Sequence, residues 1–361
     1  MKIIIFYAHF YARSSMPVNS NKRVFLTGAT GFIGSRVAEI LCINGWEVLA
    51  LVRSIPKANS LLDTWDTHTP RTVNFVAGDL FAGSPSDRMQ LFMKCVQDAN
   101  AVVHLAEVKA REHLFAEKNI KTLGLLLEAA QNTPTVQRFV FVSAFMAGGL
   151  PQPLPEVLTE DVTGVEFPDP YYQWKRMGER LVIRAAKNSH FSYSIVRPAL
   201  VYGPRAEWLT VMLKLIRAAG RFLIPLPDGG RARLGTVHVE DAAATIALSS
   251  NSEQARNQII HAVDSGRTTY ADWFAEIAKN TGWETKIVGI PNGVISLLGK
   301  GADALTSIAG IHYGAYLWAQ ILGQGCGYSN EKMKSICGSL RYPSLMEGIP
   351  TMMKWFLETH P

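Results

Sequence analysis

The run Thr27-Gly28-Ala29-Thr30-Gly31-Phe32-Ile33-Gly34 constrains this chain more than any other stretch. It follows a short apolar segment, Val24-Phe25-Leu26, and opens a helical pattern over Phe32–Ile43. A strand that turns this sharply into a helix needs residues without a Cβ at set places. Gly28 permits the tight turn. Gly31 lets the backbone approach a bound group, and Gly34 lets the helix pack on the strand. The helix start offers unpaired N–H groups and the positive end of its dipole, which suits the phosphates of a dinucleotide. Thr30, Phe32 and Ile33 lie between the glycines and are expected against the same ligand.

Beyond this turn, short β-rich runs alternate with helical periods. Strands are predicted at Glu47–Val52, 73–76, Ala101–His104, Arg138–Val142 and 193–196. Helices are predicted over 113–131, 171–187 and 241–250. This alternation means right-handed βαβ units and a parallel sheet covered on both faces. Nearly continuous apolar strands such as Phe139-Val140-Phe141-Val142 fit a sheet buried on both sides. The fold class is therefore α/β, a Rossmann-type doubly wound parallel sheet. Its domain is expected over 21–201. After about Val201, Gly and Pro become frequent, and 292–328 carries only Lys300 and Asp303 as charges. This reads as a smaller, mostly helical substrate-binding region over 202–361, with 233–263 returning to the sheet.

The 361 residues are 48% hydrophobic and 18% charged, enough for one large α/β domain with an appendage. A net charge of +6 with scattered basic residues argues against nucleic acid as a partner. The four cysteines, Cys42, Cys95, Cys326 and Cys337, form no CxxC pair and no metal spacing with histidine. Buried thiols in a reducing, cytoplasmic setting are expected, without a bound metal. Residues 1–20 read as a poorly ordered leader, since the apolar run after Lys2 is short for a signal peptide. The uncharged stretch 304–323 holds several glycines and polar residues. A substrate lid or interfacial helix fits it better than a membrane span.

Several residues carry chemistry. The second strand ends in Val52-Arg53-Ser54, where an acidic residue would hold a ribose 2′-hydroxyl. Arg53 can pair with a 2′-phosphate, which favours NADP(H) over NAD(H); the alternative is a solvated surface arginine. Asp79 in Gly78-Asp79-Leu80 can accept from an adenine amino group, or can serve a turn or cap. Small Ala106, after His104-Leu105, leaves room for a cofactor beside the fourth strand, whereas His104 reads as a packed strand residue. Tyr171 and Lys175 stand at i and i+4 on one helix face and can aim at one point. An ammonium and an oxidised nicotinamide nearby would lower the tyrosine pKa and make Tyr171 a usable general acid/base. Tyr172 is an adjacent decoy, three residues from Lys175. Ser143 ends the fifth strand and can donate to a substrate oxygen as charge develops, or can cap its own backbone.

Taken together, these motifs resemble the extended short-chain dehydrogenase/reductases, the NAD(P)-dependent epimerase/dehydratase group. The resemblance runs from Lys22 to the C-terminus. It rests on the glycine turn, Gly78-Asp79-Leu80, Val103 to Ala106, Asn119, Ser143 five residues before Gly148, Tyr171 with Lys175, Arg197-Pro198 to Pro204, and Val237 to Asp241. It implies that Tyr171 is the acid/base, that Lys175 holds the nicotinamide ribose, that Ser143 binds the reacting oxygen, and that Pro198 lies beside the nicotinamide. Asn119 would have a structural or relay role, and a homodimer is implied by analogy. Nucleotide-sugar epimerases of this group usually hold a diphosphate with an arginine where this chain has Leu234; Arg233 is out of step by one. Glu107 stands where many relatives have a small residue. These departures lean towards the 3β-hydroxysteroid-dehydrogenase-like or dihydroflavonol-reductase-like branch and an apolar small-molecule substrate. Two other readings compete with it: a nucleotide-sugar epimerase/dehydratase with tightly bound NAD, and a non-catalytic NADP-binding protein.

Overall fold

A computed structural model describes residues 22–108, 114–167, 169–219, 221–308, 315–323 and 325–360. The leader expected over 1–20 lies outside the described residues, as does the first residue of the helix expected over 113–131. The strands in chain order are β1 (Arg23–Thr27), β2 (Glu47–Val52), β3 (Val73–Ala77), β4 (Ala101–His104), β5 (Arg138–Val142), β6 (Val157–Leu158), β7 (Ser192–Pro198), β8 (Leu200–Tyr202), β9 (Arg221–Pro227), β10 (Thr236–His238), β11 (Gln258–Ala262), β12 (Glu284–Ile290) and β13 (Gly327–Tyr328).

Seven of them form one sheet in the order β11-β7-β5-β4-β1-β2-β3, and every pairing in it is parallel. The chain runs outward from β1 to β3, then crosses back to place β4 on the other side of β1. The connections therefore diverge at the carboxyl ends of β1 and β4, which opens a crevice there.

Alternation along the strands splits the interior into two layers. Val24, Leu26, Val103, Val140 and Val196 join one cluster with α1 (Phe32–Ile43). Phe25, Val102, Phe139, Phe141 and Ile195 join the other. That second face packs on α3 (Pro85–Val96) and α4 (Leu114–Gln131), while α2 (Ile55–Leu62) lies near the β2–β3 edge. It is completed by α5 (Pro170–Lys187). The cysteines are buried and free, as the sequence suggested.

Two expectations need adjustment. The helix expected over 241–250 runs from Val239 to Leu248. His238 caps it, its ring Nδ1 accepting from the Glu240 N–H at 3.3 Å, and histidine is not among the usual capping residues. The C-terminal region holds more strand than expected: β8 pairs with β10, β9 with β12, and β6 with β13, all parallel. A third cluster, including Tyr202, Leu213, Trp273, Ile349 and Phe356, fills this region. The uncharged stretch 304–323 is shared between helices Asn292–Ile308 and Ala315–Gly323, and no described helix is long and apolar enough to cross a membrane.

Candidate active site

The crevice at the ends of β1 and β4 is built from the glycine turn. Gly28 has φ +80°, and a Cβ added to it would lie 3.0 Å from the Ala106 nitrogen. A Cβ on Gly34 would lie 2.0 Å from the Gly28 carbonyl oxygen. Gly31 is the N-cap of α1 and supplies no side-chain hydrogen bond, so the first N–H groups of α1 are offered to a ligand. Thr30, Phe32 and Ile33 are half-buried around it. This cradle, closed to any side chain at Gly28 and Gly34, fits a pyrophosphate.

Thr27 joins the two strands. Its Oγ1 accepts from the Leu105 and Ala106 N–H groups, each at 3.2 Å, and lies 2.8 Å from His104 Nδ1. With both acceptor positions taken, the hydroxyl proton goes to Nδ1, so the ring carries its own proton on Nε2. Burial, and then Lys175, push His104 down to about 3. It is a neutral packed residue, as the sequence suggested.

Arg53 is exposed just past β2, and Ser54 beside it caps α2 through the Lys57 N–H at 3.4 Å. Asp79 Oδ1 accepts from the Phe81 N–H at 2.9 Å, so one of its oxygens serves the turn. Leu80 is buried beneath, and Pro198 is buried at the end of β7 beside Ala262. Asn119 is clamped by backbone: Oδ1 accepts from the Val108 N–H at 3.0 Å, and Nδ2 donates to the Val108 and Phe115 carbonyls. That arrangement is structural.

On the other side of the crevice α5 begins at Pro170, with the Asp169 carboxylate accepting from the Tyr171 N–H at 2.7 Å. The helix then repeats every four residues: Tyr171, Lys175 and Glu179 share one face. Lys175 is almost fully enclosed. Its Nζ donates to the Val142 carbonyl at 2.9 Å and pairs with Glu107 Oε2 at 3.0 Å. It lies 5.6 Å from the centre of the Tyr171 ring. Tyr171 is half-buried between Phe115 and Tyr172.

The expected lowering of the tyrosine pKa combined Lys175 with a bound oxidised nicotinamide. Among the chain's own groups, burial first, and then Glu107, hold the Tyr171 hydroxyl well above its ordinary value. Desolvation and a nearby carboxylate both disfavour the phenolate.

Ser143 is buried, and its hydroxyl donates to Glu179 Oε1 at 2.5 Å. Arg197 grips the same carboxylate with Nε at 2.8 Å and Nη2 at 2.7 Å. Ser143 thus belongs to a buried Ser143–Glu179–Arg197 cluster. Sequence reasoning missed Thr27, Glu179 and the partner of Glu107. The available signal for Glu179 was its place four residues after Lys175.

A cavity of about 260 Å³ is walled by Phe145, Leu150, Leu154, Tyr172, Ile321 and Tyr328 among others. Tyr172, set aside as a decoy, is one of its walls, and its ring lies 5.1 Å from that of Tyr171. Arg233 is the one charged residue among the described cavity walls; it is held by Glu156 through a carbonyl at 3.3 Å and a carboxylate at 3.6 Å.

Residues 24–261 match the model of the NAD dependent epimerase/dehydratase family, and the chain belongs to that family. It is 25% identical over 285 residues to UDP-glucose 4-epimerase of Vibrio cholerae, covering 77% of this chain and 82% of that protein. It is 26% identical over 293 residues to ceramide reductase of Caulobacter vibrioides, covering 81% of each. A solved structure of UDP-glucuronic acid 4-epimerase from Bacillus cereus in complex with NAD shares the fold, with a TM-score of 0.70 at 18% identity over 94% of this chain and 97% of that one. The protein is accordingly an NAD(P)-dependent enzyme of the extended short-chain dehydrogenase/reductase type, acting as an oxidoreductase or epimerase.

Proposed function

We propose that this chain interconverts a ketone or aldehyde and an alcohol on an apolar small molecule, with NADP(H) as the preferred coenzyme. The observation that carries the reading is the apolar cavity walled by Tyr172, whose ring lies 5.1 Å from that of Tyr171. A nucleotide sugar needs cations and donors for its diphosphate. Among its described residues the cavity wall supplies one arginine, already engaged with Glu156. The similarity to a ceramide reductase supports the same direction.

The glycine turn would hold the pyrophosphate, Asp79 the adenine, Arg53 a 2′-phosphate, and Lys175 the nicotinamide ribose. Bound there, the coenzyme would supply or take a hydride at the substrate carbon. The chain's own work is protonic and geometric. Tyr171 holds the proton that passes to the carbonyl oxygen. Lys175 is fixed by the Val142 carbonyl and cannot wander from the Tyr171 ring. Ser143 can turn its hydroxyl from Glu179 to the substrate oxygen, since Arg197 keeps Glu179 bound by two further bonds.

The test is coenzyme consumption with a panel of apolar ketones, using NADPH and NADH in parallel, with Tyr171→Phe as control. The expected outcome is steady NADPH oxidation with at least one ketone, reduced by orders of magnitude in the control. Arg53→Ala should weaken NADPH and leave NADH unchanged. The second reading, a nucleotide-sugar epimerase with tightly held NAD, draws on the similarity to the Vibrio cholerae enzyme. It would be favoured by UDP-sugar conversion without net coenzyme loss, which would overturn the first.

A further inference from the structure

Among the described residues of the crevice, Glu107 departs from the shared motifs. It stands directly after Ala106 at the tip of β4, and its side chain is 17% exposed. Its Oε2 lies 3.0 Å from Lys175 Nζ and accepts from Trp174 Nε1 at 3.3 Å. Lys175 is 4% exposed, so little water stands between the two charges. Trp174 is fully buried and fixes the carboxylate from the other side.

The charge around Tyr171 can be summed from the described residues. On its own helix lie Asp169, whose carboxylate holds the Tyr171 N–H, Tyr172, and Lys175. From β4 and the residues after it come Glu107 and the neutral His104. From α4 comes Phe115, which carries no charge. Further along α5, Glu179 is cancelled by a bidentate pairing with Arg197 of β7. Without Glu107 the sum of Lys175 and Asp169 is zero. With Glu107 the sum is negative, and the ammonium is matched by a carboxylate at contact distance. A negative surrounding disfavours a second anion on the phenol.

We propose that Glu107 is a positioning residue which, through Lys175, keeps Tyr171 in its proton-bearing form, so that the site is set to give a proton to a carbonyl oxygen rather than to take one from an alcohol. This rests on the reading of Tyr171 as the acid/base. In the favoured direction a bound reduced nicotinamide coenzyme would supply the hydride for the carbonyl carbon. The Tyr171 O–H bond breaks as its proton passes to the oxygen, and solvent returns a proton to the phenolate. The alcohol and the oxidised coenzyme complete the balance. The raised ionisation of Tyr171, due first to burial and next to Glu107, agrees with this.

The experiment compares Glu107→Gln with the unaltered protein. Glutamine keeps the size and an oxygen for the Trp174 N–H, and removes the charge. The first readout is an ultraviolet absorbance titration of tyrosinate in the coenzyme-free protein, with Tyr171→Phe identifying the step. The Tyr171 step should fall by at least about one pH unit, a tenfold change in ionisation constant. Equally supportive is a step that appears in the variant where the unaltered protein shows none. The second readout is the pH profile of kcat/KM: the alkaline limb of ketone reduction should move down by the same amount, and alcohol oxidation near neutral pH should speed up. An unmoved step in folded Glu107→Gln overturns the proposal. If the glutamine variant does not fold, Glu107→Asp carries the test. There the retained charge should leave the step within a few tenths of its original position, and a full shift overturns the proposal. A step that moves while no carbonyl compound consumes coenzyme keeps the role of Glu107 and defeats the reductase reading instead.

Discussion

Ser143 shows how a single hydrogen can decide a role. Its hydroxyl has one proton, and the structure gives it to Glu179. Removing one donor from an oxyanion site costs about 10²–10³ in turnover. Breaking a bond to a charged acceptor costs about 1.5–3 kcal/mol, which offsets a good part of that gain. Ser143→Ala is therefore expected to lower kcat by about ten- to a hundredfold, well short of the loss in Tyr171→Phe; steady-state kinetics at saturating ketone checks this. Glu179 is different. Its side chain is 5% exposed and that of Arg197 6%. Glu179→Ala strands a buried guanidinium, and loss of one partner of such a pair costs about 3–5 kcal/mol. Urea unfolding should show that loss, and a cost below about 1 kcal/mol would mean that solvent reaches Arg197.

The strand–turn–helix element that begins the fold is where sequence and structure agree most closely. β1 and α1 begin and end within a residue or so of the places the pattern gave, because the glycines leave no other geometry. Gly34→Ala would place a Cβ 2.0 Å from the Gly28 carbonyl oxygen, so the helix would have to move. A stability loss of about 1–3 kcal/mol is expected. Calorimetric titration should show affinity for NADPH and NADH falling together, at least tenfold. Gly124 on α4 is the internal contrast: nothing lies within 4 Å of an added Cβ, and Gly124→Ala should stabilise by about 0.5–1 kcal/mol. The same comparison shows what the sequence left hidden. Motif positions are fixed by local spacing, and Gly28, Asp79, Tyr171 and Lys175 could be read that way. Glu107, Thr27 and Arg197 meet their partners across 68, 77 and 18 positions of chain. Those meetings depend on strand order, which no local pattern encodes. The cap by His238 and the parallel pairs of the C-terminal region were missed for the same reason: tertiary contacts there override weak local preference.

The protein is expected to lose stability in acid. His104, His238 and His261 are buried, and burial pushes each from 6.5 down to about 3. A histidine depressed in this way gives stability that is complete above 6.5 and is lost as pH falls towards 3, because the unfolded chain binds protons the folded one refuses. Asp264 works in the opposite sense. Burial raises it from 3.8 to about 6, so its contribution is complete below 3.8 and disappears as pH rises through about 6. Between pH 7 and pH 5 each histidine should cost about 2 kcal/mol, and Asp264 should return about 1 kcal/mol. Three histidines against one aspartate leave a net loss of about 4–5 kcal/mol, comparable to the whole stability of many domains. Urea unfolding at the two pH values measures it directly. His261, whose Nδ1 is buried without a hydrogen-bond partner, is the informative substitution. His261→Asn should recover about 2 kcal/mol of the acid loss. Equal urea midpoints at pH 5 and pH 7 in the unaltered protein would mean that the three rings are charged in the folded state, and with them would go the neutral His104 on which the charge balance around Tyr171 depends.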